Sequence, residues 1–211
     1  MKVWSYWFPY VLPNLRNCPI PLVEHELRNA AQQLLERSRA WQITLSTIPV
    51  LAGASSIVIP MDTDKELVRV ENAYYDGAKL TVITSNSLDS DNNDDWSLHT
   101  GTPVSYLQLS PGVITLYPKP LSTASTGLKL RVSAKPSDAA TGLPDEIAVK
   151  YRNEIAMGAK GKLMVYADKP WTNMDLGAAY LQSFNAMVDN SNINAARSNG
   201  QARIASRPKW S

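Results

Sequence analysis

The side chains that most often act as catalysts or metal ligands are scarce in this sequence. Its histidines are His25 and His99, and its one cysteine is Cys18. A structural zinc site needs about four ligands, and these three residues do not show a recognised ligand spacing. Neither histidine lies in a catalytic motif, so surface or capping roles are favoured over acid-base catalysis. We therefore predict no enzyme activity, no catalytic residue, no metal site and no cofactor.

The acidic segment from Asp89 to Asp95 begins like a calcium-binding loop, with oxygen-bearing side chains at alternating positions. Its sixth residue is Asp94, where the turn of an EF-hand requires glycine, and its twelfth is Thr100, where a bidentate glutamate belongs. We expect a flexible acidic surface loop here. Adventitious binding of a cation to it stays open.

The stretch Gly158-Ala159-Lys160-Gly161-Lys162 superficially resembles a phosphate-binding loop. It lacks the first glycine at the required distance, a following serine or threonine and a preceding strand. Glycine is costly inside a helix relative to alanine, so its presence indicates close packing of helices. The contact is expected within the subunit or against a neighbouring one.

The length, composition and net charge of the chain exclude several further classes of protein. The chain has 211 residues, of which 44% are hydrophobic and 19% are charged, which is enough to bury a real core. A formal net charge of only +2 argues against a protein that coats nucleic acid, so any DNA contact must be local. The single cysteine favours a reducing compartment. Prolines and tyrosines interrupt any N-terminal signal segment, and no apolar run would span a membrane, so we expect a soluble protein made in the cytoplasm.

Helical spacing occurs at both ends of the chain. The aromatic and proline-rich start of the sequence is interpreted as an extended anchor. An amphipathic helix is predicted from Pro21 to about Arg39, with apolar residues recurring every three or four positions. A helical hairpin is predicted from about Pro144 to Asn194, interrupted at Lys169-Pro170-Trp171, with Thr172 or Asn173 as the N-cap of its second helix.

Between these helices the apolar period changes to two, which is typical of strands. The dipeptide Asp76-Gly77 is a strong signal for a two-residue hairpin turn, so the sheet is expected to be mainly antiparallel. The predicted strands are Ile43 to Ile48, Ser56 to Ile59, Glu66 to Tyr75, Lys79 to Thr84, Ser105 to Leu109, Val113 to Tyr117 and Leu128 to Ala134.

These patterns predict an α+β protein in which a mainly antiparallel β-sandwich or barrel-like domain is inserted into a helical domain. The predicted boundaries are 1–41 for the aromatic arm and first helix, 42–136 for the β domain, and 137–194 for the helical hairpin. Residues 195–211 form a basic tail without an apolar period or an acidic residue. The tail carries Arg197, Arg203, Arg207, Lys209 and Trp210.

Several short motifs, taken in order, resemble the head-to-tail adaptor proteins of short-tailed bacteriophages, which include the tail tubular protein A type. The resemblance spans most of the chain. The motifs are Val11-Leu12-Pro13, Asn17-Cys18-Pro19, Glu36-Arg37-Ser38-Arg39-Ala40-Trp41, Leu67-Val68-Arg69-Val70 before Asp76-Gly77, Gly101-Thr102-Pro103, Leu116-Tyr117-Pro118, Lys135-Pro136-Ser137, Gly142-Leu143-Pro144-Asp145 and Lys169-Pro170-Trp171-Thr172-Asn173.

The resemblance implies a virion structural protein that forms a ring, commonly of twelve subunits, between the portal and the tail nozzle. It implies that the helical domain forms the ring and that the β domain projects toward nozzle and fibre proteins. The basic tail residues are then candidates for portal docking, with contact to channel DNA left open. Five aromatic residues are candidate subunit or partner contacts: Trp4, Trp7, Phe8, Tyr10 and Trp171. For the N-terminal aromatic residues, coverage of the subunit's own core is an equal alternative.

Two other functions compete with an adaptor. An antiparallel sheet that exposes Trp96, Tyr74 and Tyr75 would suit a carbohydrate-recognition module acting in host attachment. A tail-associated hydrolase would need paired carboxylates in a cleft, and the sequence shows no such arrangement. The flanking helices favour the adaptor over the carbohydrate module.

Overall fold

The computed structural model describes residues 1–54, 56–92 and 95–196 of the chain. Helices occupy both ends of this range and one short stretch near its middle. The α-helices are α1 Phe8–Val11, α2 Ile20–Ser38, α3 Ser85–Asn92, α4 Asp145–Lys150, α5 Arg152–Met164 and α6 Met174–Ala196. Turns of 3-10 helix cover Trp4–Trp7, Leu12–Asn14 and Asp95–Leu98.

Strands fill most of the sequence from residue 42 to residue 136, and two short strands, Lys2–Val3 and Gly142–Leu143, lie outside that range. The strands are β1 Lys2–Val3, β2 Gln42–Thr44, β3 Ile48–Val50, β4 Ser56–Val58, β5 Lys65–Tyr75, β6 Ala78–Lys79, β7 Thr81–Val82, β8 Thr100–Gly101, β9 Ser105–Ser110, β10 Val113–Tyr117, β11 Lys119–Pro120, β12 Ala124–Pro136 and β13 Gly142–Leu143. The α+β class predicted from the sequence is therefore confirmed.

The chain divides into two compact units. The first, called the helical unit, contains Met1–Trp41, Thr63–Glu66 and the described residues from Lys135 to Ala196. The second, called the β unit, contains Gln42–Asp62 and Leu67–Ala134, so it is an insertion between segments of the first. The predicted domain boundaries stay a prediction, because compactness alone does not show that a unit folds independently.

The helical unit is held together by α2, α5 and α6. Fully buried Leu27, Leu34 and Leu35 form the inner face of α2, where apolar residues recur at helical spacing. That helix ends as predicted, because Arg39 adopts the left-handed conformation with φ of 53° and stops the helical hydrogen-bond series. In α6 the inner face includes Phe184 and Val188, both completely buried.

The predicted close packing at the helical glycines is confirmed within the subunit. A Cβ atom added to Gly158 in α5 would lie 2.9 Å from the Cβ of Ala30 in α2 and 2.9 Å from the ring of Phe184 in α6. A Cβ atom on Gly161 would lie 2.8 Å from Cγ of Leu181. Neighbouring helices therefore occupy the space that larger side chains would need.

The β unit contains two main sheets that share one core. Four strands pair in the order β4, β10, β9, β7, and the other sheet has the order β2, β12, β5, β6 with β3 also on β12. Most described pairs are antiparallel, whereas β7 with β9 and β8 with β11 are parallel. Buried Leu130 and Val132 of β12 join Tyr106, Ile114 and Leu116 of the other sheet in a single apolar cluster.

The predicted hairpin at Asp76-Gly77 is confirmed. Tyr75 pairs with Ala78 and Tyr74 with Lys79, leaving two residues in the turn. Both turn residues have positive φ, 47° at Asp76 and 83° at Gly77. This is the conformation that a two-residue hairpin requires to follow the twist of its strands.

Four sequence predictions about local structure are wrong. The predicted strand Ile43 to Ile48 is interrupted, because only Gln42–Thr44 and Ile48–Val50 are strands there. The N-terminal aromatic segment is not extended but forms consecutive short helical turns from Trp4 to Asn14, and Pro9 fits there because it lies at the start of α1, where a missing backbone donor costs little. The acidic region is not a loop from its start, since Ser85–Asn92 is helical. The predicted strand Lys79 to Thr84 is divided into β6 and β7 on different sheets.

Candidate interaction surfaces

Two of the N-terminal aromatic residues are core residues of this chain. Trp4 is 3% exposed and its indole N–H donates to the carbonyl of Ala140 at 2.8 Å. Trp7 is completely buried and donates to the carbonyl of Arg152 at 3.2 Å. A buried indole N–H with a carbonyl partner is satisfied without any other molecule. Trp4 and Trp7 therefore cover the subunit's own core, which is the alternative to a contact with another subunit.

The remaining aromatic residues of that segment reach the surface. Tyr10 is 38% exposed, and the guanidinium carbon of Arg152 lies 4.7 Å from its ring centroid. Tyr6 is half-buried between Trp7, at 5.1 Å between ring centroids, and Lys2, whose Nζ lies 5.6 Å from the ring. Hydrogen bonding with the hydroxyl of Tyr6 is the main reason why the pKa of Arg152 is raised. The predicted contact Phe8 is half-buried.

The N-terminal strand ties this surface to the start of the helical hairpin. Lys2 and Val3 pair with Leu143 and Gly142. The α-amino group of Met1 lies 2.9 Å from Oδ1 of Asp145, and this hydrogen bond lowers the pKa of the Asp145 carboxyl. The side chains that cover the first residues of α4 and α5 therefore come from the opposite end of the described sequence.

The turn between α5 and α6 places the predicted contact Trp171. It is 9% exposed, and its Nε1 has no hydrogen-bond partner in the part of the chain that the structure describes. Asn173 caps α6 as predicted, accepting from the backbone N–H of Leu176 at 3.1 Å. The hydroxyl of Thr172 donates to the carbonyl of Tyr166. Local hydrogen bonds therefore order the turn between α5 and α6, and the indole N–H of Trp171 is a buried donor without an acceptor among the described residues.

A buried polar cluster lies beside this turn and was missed by the sequence analysis. Glu26 in α2 is 5% exposed and accepts from the Tyr166 hydroxyl at 2.8 Å and from the Asn29 amide at 3.3 Å. The bond to Glu26 raises the pKa of Tyr166, and burial lowers the pKa of Lys162, against the opposing effect of Glu26. The sequence does contain a signal for this cluster. Glu26 lies three residues after Val23 and four before Ala30, which places a charged residue on the apolar face of the helix.

The predicted portal-docking residues lie outside the described residues. These are Arg197, Arg203, Arg207, Lys209 and Trp210. The role assigned to them stays a prediction.

The residues that could do chemistry are divided between the two units. His25 is exposed on α2, and Nδ1 of His99 lies 3.2 Å from the Tyr117 hydroxyl in the β unit. Cys18 is 8% exposed, and burial raises the pKa of its thiol, which disfavours a reactive thiolate. Within residues 1–54, 56–92 and 95–196, no group of three or more His, Cys, Asp or Glu side chains could hold a metal ion. Over those same residues, no helix combines the length and the apolar character that a bilayer crossing requires.

The aromatic residues of the carbohydrate hypothesis have different environments. Tyr75 is 7% exposed and belongs to the core of the β unit, so it cannot offer a ring face to a sugar. Tyr74 lines an open cavity of about 430 Å³ beside Lys129. Trp96 lines a smaller cavity of about 170 Å³ with Ser56, Ser97, Leu109, Thr115, Leu116 and Lys119. Its indole N–H donates to Oδ1 of Asp89 at 2.7 Å, which fixes the ring.

Comparison with known proteins identifies the family. The family model of the SU10 adaptor protein matches residues 23–207, which is most of the chain. No curated protein matches it. The matched range begins in α2 and includes the whole β unit and the helical hairpin, and it agrees with the resemblance to phage head-to-tail adaptors. The chain therefore belongs to the SU10 adaptor protein family, and it is a structural adaptor component of a phage virion.

Proposed function

We propose that this chain is a subunit of a ring, commonly of twelve copies, that joins the portal of a phage head to the tail nozzle and surrounds the DNA exit channel. The observation that carries the proposal is the adaptor family match over residues 23–207. In this role the protein acts through interface area and symmetry and needs no catalytic group.

Several surface features support such a role. Large apolar side chains are exposed on both units, including Met174 at 58% in the helical unit and Val58 at 73% in the β unit. Burial of apolar surface against partners stabilises an assembly by about 25 cal/mol per Å². We assign the helical unit to the ring and the β unit to contacts with nozzle and fibre proteins.

The basic tail completes the proposal. The sequence after Ala196 carries four positive side chains and no acidic one. We assign Arg197, Arg203, Arg207 and Lys209 to acidic groups of the portal or to channel DNA, and Trp210 to an apolar anchor. Their placement at the head-tail junction is part of the proposal.

The decisive experiment mixes the purified full-length protein with its portal and images the product by cryo-electron microscopy. We expect a ring of the adaptor on the portal, with the helical unit in the ring. A second measurement compares portal binding by the full chain and by a chain ending at residue 196. Absence of any complex with the portal would refute the proposal, and undiminished binding by the shortened chain would refute the role of the tail.

A second candidate function rests on Trp96. An indole fixed by Asp89 beside a cavity lined with serine and threonine hydroxyls could stack on a sugar ring. Glycan binding by the wild-type protein that is lost in a Trp96→Ala variant would favour it. Equal binding by the two proteins, or none by either, would leave the adaptor role as the function of this chain.

A further inference from the structure

Four exposed apolar residues lie in segments that come together at the start of helix α5. They are Met1, Val3, Tyr10 and Val149, and we call them the first patch. Val3 and Val149 are 51% and 56% exposed. The patch is tied to the start of α5 because Arg152, the first residue of that helix, lies over the ring of Tyr10.

A second exposed apolar patch lies beyond the other end of α5. It consists of Tyr166, Met174 and Leu176, and we call it the second patch. Met174 is 58% exposed and Leu176 is 37% exposed. The backbone N–H of Asn173 donates to the carbonyl of Met164, the last residue of α5, at 2.9 Å, so this patch is tied to the end of the same helix.

Each patch contains a tyrosine whose ring is held by a charged neighbour. In the first patch Arg152 holds Tyr10, with 4.7 Å between the guanidinium carbon and the ring centroid. In the second patch buried Glu26 accepts from the Tyr166 hydroxyl at 2.8 Å. Rigid, partly exposed aromatic rings are the side chains that most often dominate protein interfaces, because little conformational freedom remains to be lost on binding.

The positions of the two patches favour one kind of contact. Helix α5 has 13 residues, which corresponds to about 20 Å between its ends at about 1.5 Å per residue. A surface at one end of a subunit that binds a different surface at the other end of the next copy gives a heterologous, head-to-tail contact. Repetition of such a contact closes a ring when the rotation between neighbouring copies divides a full turn, and builds an open filament when it does not, whereas a contact between identical surfaces stops at a dimer.

The charges around the patches have opposite signs. In the segments Lys2–Val3 and Asp145–Arg152, the charged side chains are Lys2, Lys150 and Arg152 against Asp145 and Glu146, a net charge of +1. In residues 166–176 they are Asp168 and Asp175 against Lys169, a net charge of −1. Opposite charges at the rims favour the first patch meeting the second rather than another first patch.

We infer that the first patch of one copy of this chain packs against the second patch of the next copy, and that this contact closes the ring. The inference rests on the proposed function, since it names the surfaces by which the proposed ring forms. The leftover indole donor of Trp171 lies in the turn that carries the second patch, where a neighbouring subunit would supply an acceptor.

The test uses Val149→Asp in the first patch and Met174→Asp in the second. Leu121→Asp, at a 74% exposed position of the β unit, is the matched control. Assembly of each full-length protein, alone and with the portal, is followed by native mass spectrometry and electron microscopy. Burying an unpaired carboxylate at the centre of an interface should weaken self-association by roughly tenfold or more. The control should assemble like the wild type.

Mixing the two variants gives the sharper result. A head-to-tail contact leaves one intact pair of surfaces between a Val149→Asp copy and a Met174→Asp copy. With one variant labelled with ¹⁵N, we expect mixed dimers and neither homodimers nor rings. Homodimers of either variant, or rings formed by both variants as readily as by the control, would overturn the inference.

The outcomes also separate this inference from the proposed function. Wild-type rings that the two variants still form would refute the assigned surfaces but leave the adaptor ring in place. A wild-type chain that stays monomeric alone and with the portal would refute both. Circular dichroism checks that each variant is folded, and Tyr10→Ser with Leu176→Ser repeats the experiment if either aspartate variant is not.

Discussion

The contact of α5 with its two neighbours predicts that Gly158→Ala destabilises the helical unit. In an uncrowded helix this change stabilises by about 1 kcal/mol, because alanine has the higher helix propensity. Here the new Cβ atom would lie 2.9 Å from the Cβ of Ala30 and 2.9 Å from Cε2 of Phe184. Neither neighbour is the mobile end of a flexible side chain, so the helices must move apart.

The size of the effect follows from these opposing contributions. Overpacking a dense core costs about 1 to 3 kcal/mol, and values above that range also occur. Subtraction of the propensity gain leaves about 0 to 2 kcal/mol, and because two different residues lie at 2.9 Å from the new atom we expect the upper half of that range, a net loss of about 1 to 2 kcal/mol in the free energy of unfolding. For a chain of this size that corresponds to a fall of about 2 to 8 °C in Tm.

The assay is thermal and urea denaturation followed by circular dichroism at 222 nm, a signal to which the helices contribute most. The same change is measured in an Ala30→Gly background, where one of the two obstructing side chains is gone. We expect Gly158→Ala to cost less there than in the wild type, by a coupling of about 0.5 kcal/mol or more. A Gly158→Ala protein as stable as the wild type, or an equal cost in both backgrounds, would refute the close-packing argument.

Three further changes test other parts of the structure. Trp7→Ala should cost about 3 to 5 kcal/mol because the side chain is completely buried, whereas Tyr10→Ala, at a 38% exposed position, should cost much less in the same denaturation assay. Gly77→Ala should lower the free energy of unfolding by about 1 to 2 kcal/mol. The loss comes from the φ of 83° alone, since nothing lies within 4 Å of the added Cβ atom, and Gly77→Asn should lower it less. Cys18 should react slowly with thiol reagents until urea unfolds the chain, since burial raises its pKa. The raised pKa means that the folded state favours the neutral thiol, so stability should fall as pH rises above about 8.5, the thiol pKa of an unfolded chain, and Cys18→Ala should remove that part of the pH dependence.

Local sequence patterns were sufficient to predict the elements that have a strong apolar period, a turn that needs particular residues or a capping side chain. The apolar spacing of Val23, Leu27 and Leu34 predicted α2, which begins at Ile20 and ends at Ser38. Asp76-Gly77 predicted its hairpin because few other dipeptides tolerate positive φ at both positions. Asn173 was identified as a cap because its short side chain reaches a free backbone N–H.

The N-terminal segment could not be predicted in the same way. Its aromatic residues have no helical or strand period, and prolines interrupt it, so the sequence suggested an extended arm. What folds it is a pair of bonds across the chain, from the Trp4 indole to the Ala140 carbonyl and from the Trp7 indole to the Arg152 carbonyl. Partners more than 130 residues away leave no local signal.

The acidic segment and the surfaces of the candidate site show two further limits. Short polar residues such as Ser85 and Asn86 favour turns in isolation, yet Ser85–Asn92 is a helix, so context overrides propensity. Candidate contacts were chosen by aromatic type, which does not distinguish buried Trp7 from exposed Tyr10. Exposure depends on packing, and packing is set by the whole fold.

The insertion of one unit within the other also determines the order in which the protein can fold during synthesis. All residues of the β unit have been made once residue 134 is added, whereas α6 of the helical unit extends to Ala196. At about 5 to 20 residues per second, the intervening residues take the ribosome roughly 3 to 12 s. During that time the nascent α2 lacks the complete pair of α5 and α6 that covers its apolar stripe. The emerging chain is therefore a substrate for chaperones that bind exposed apolar helices, until α6 leaves the ribosome.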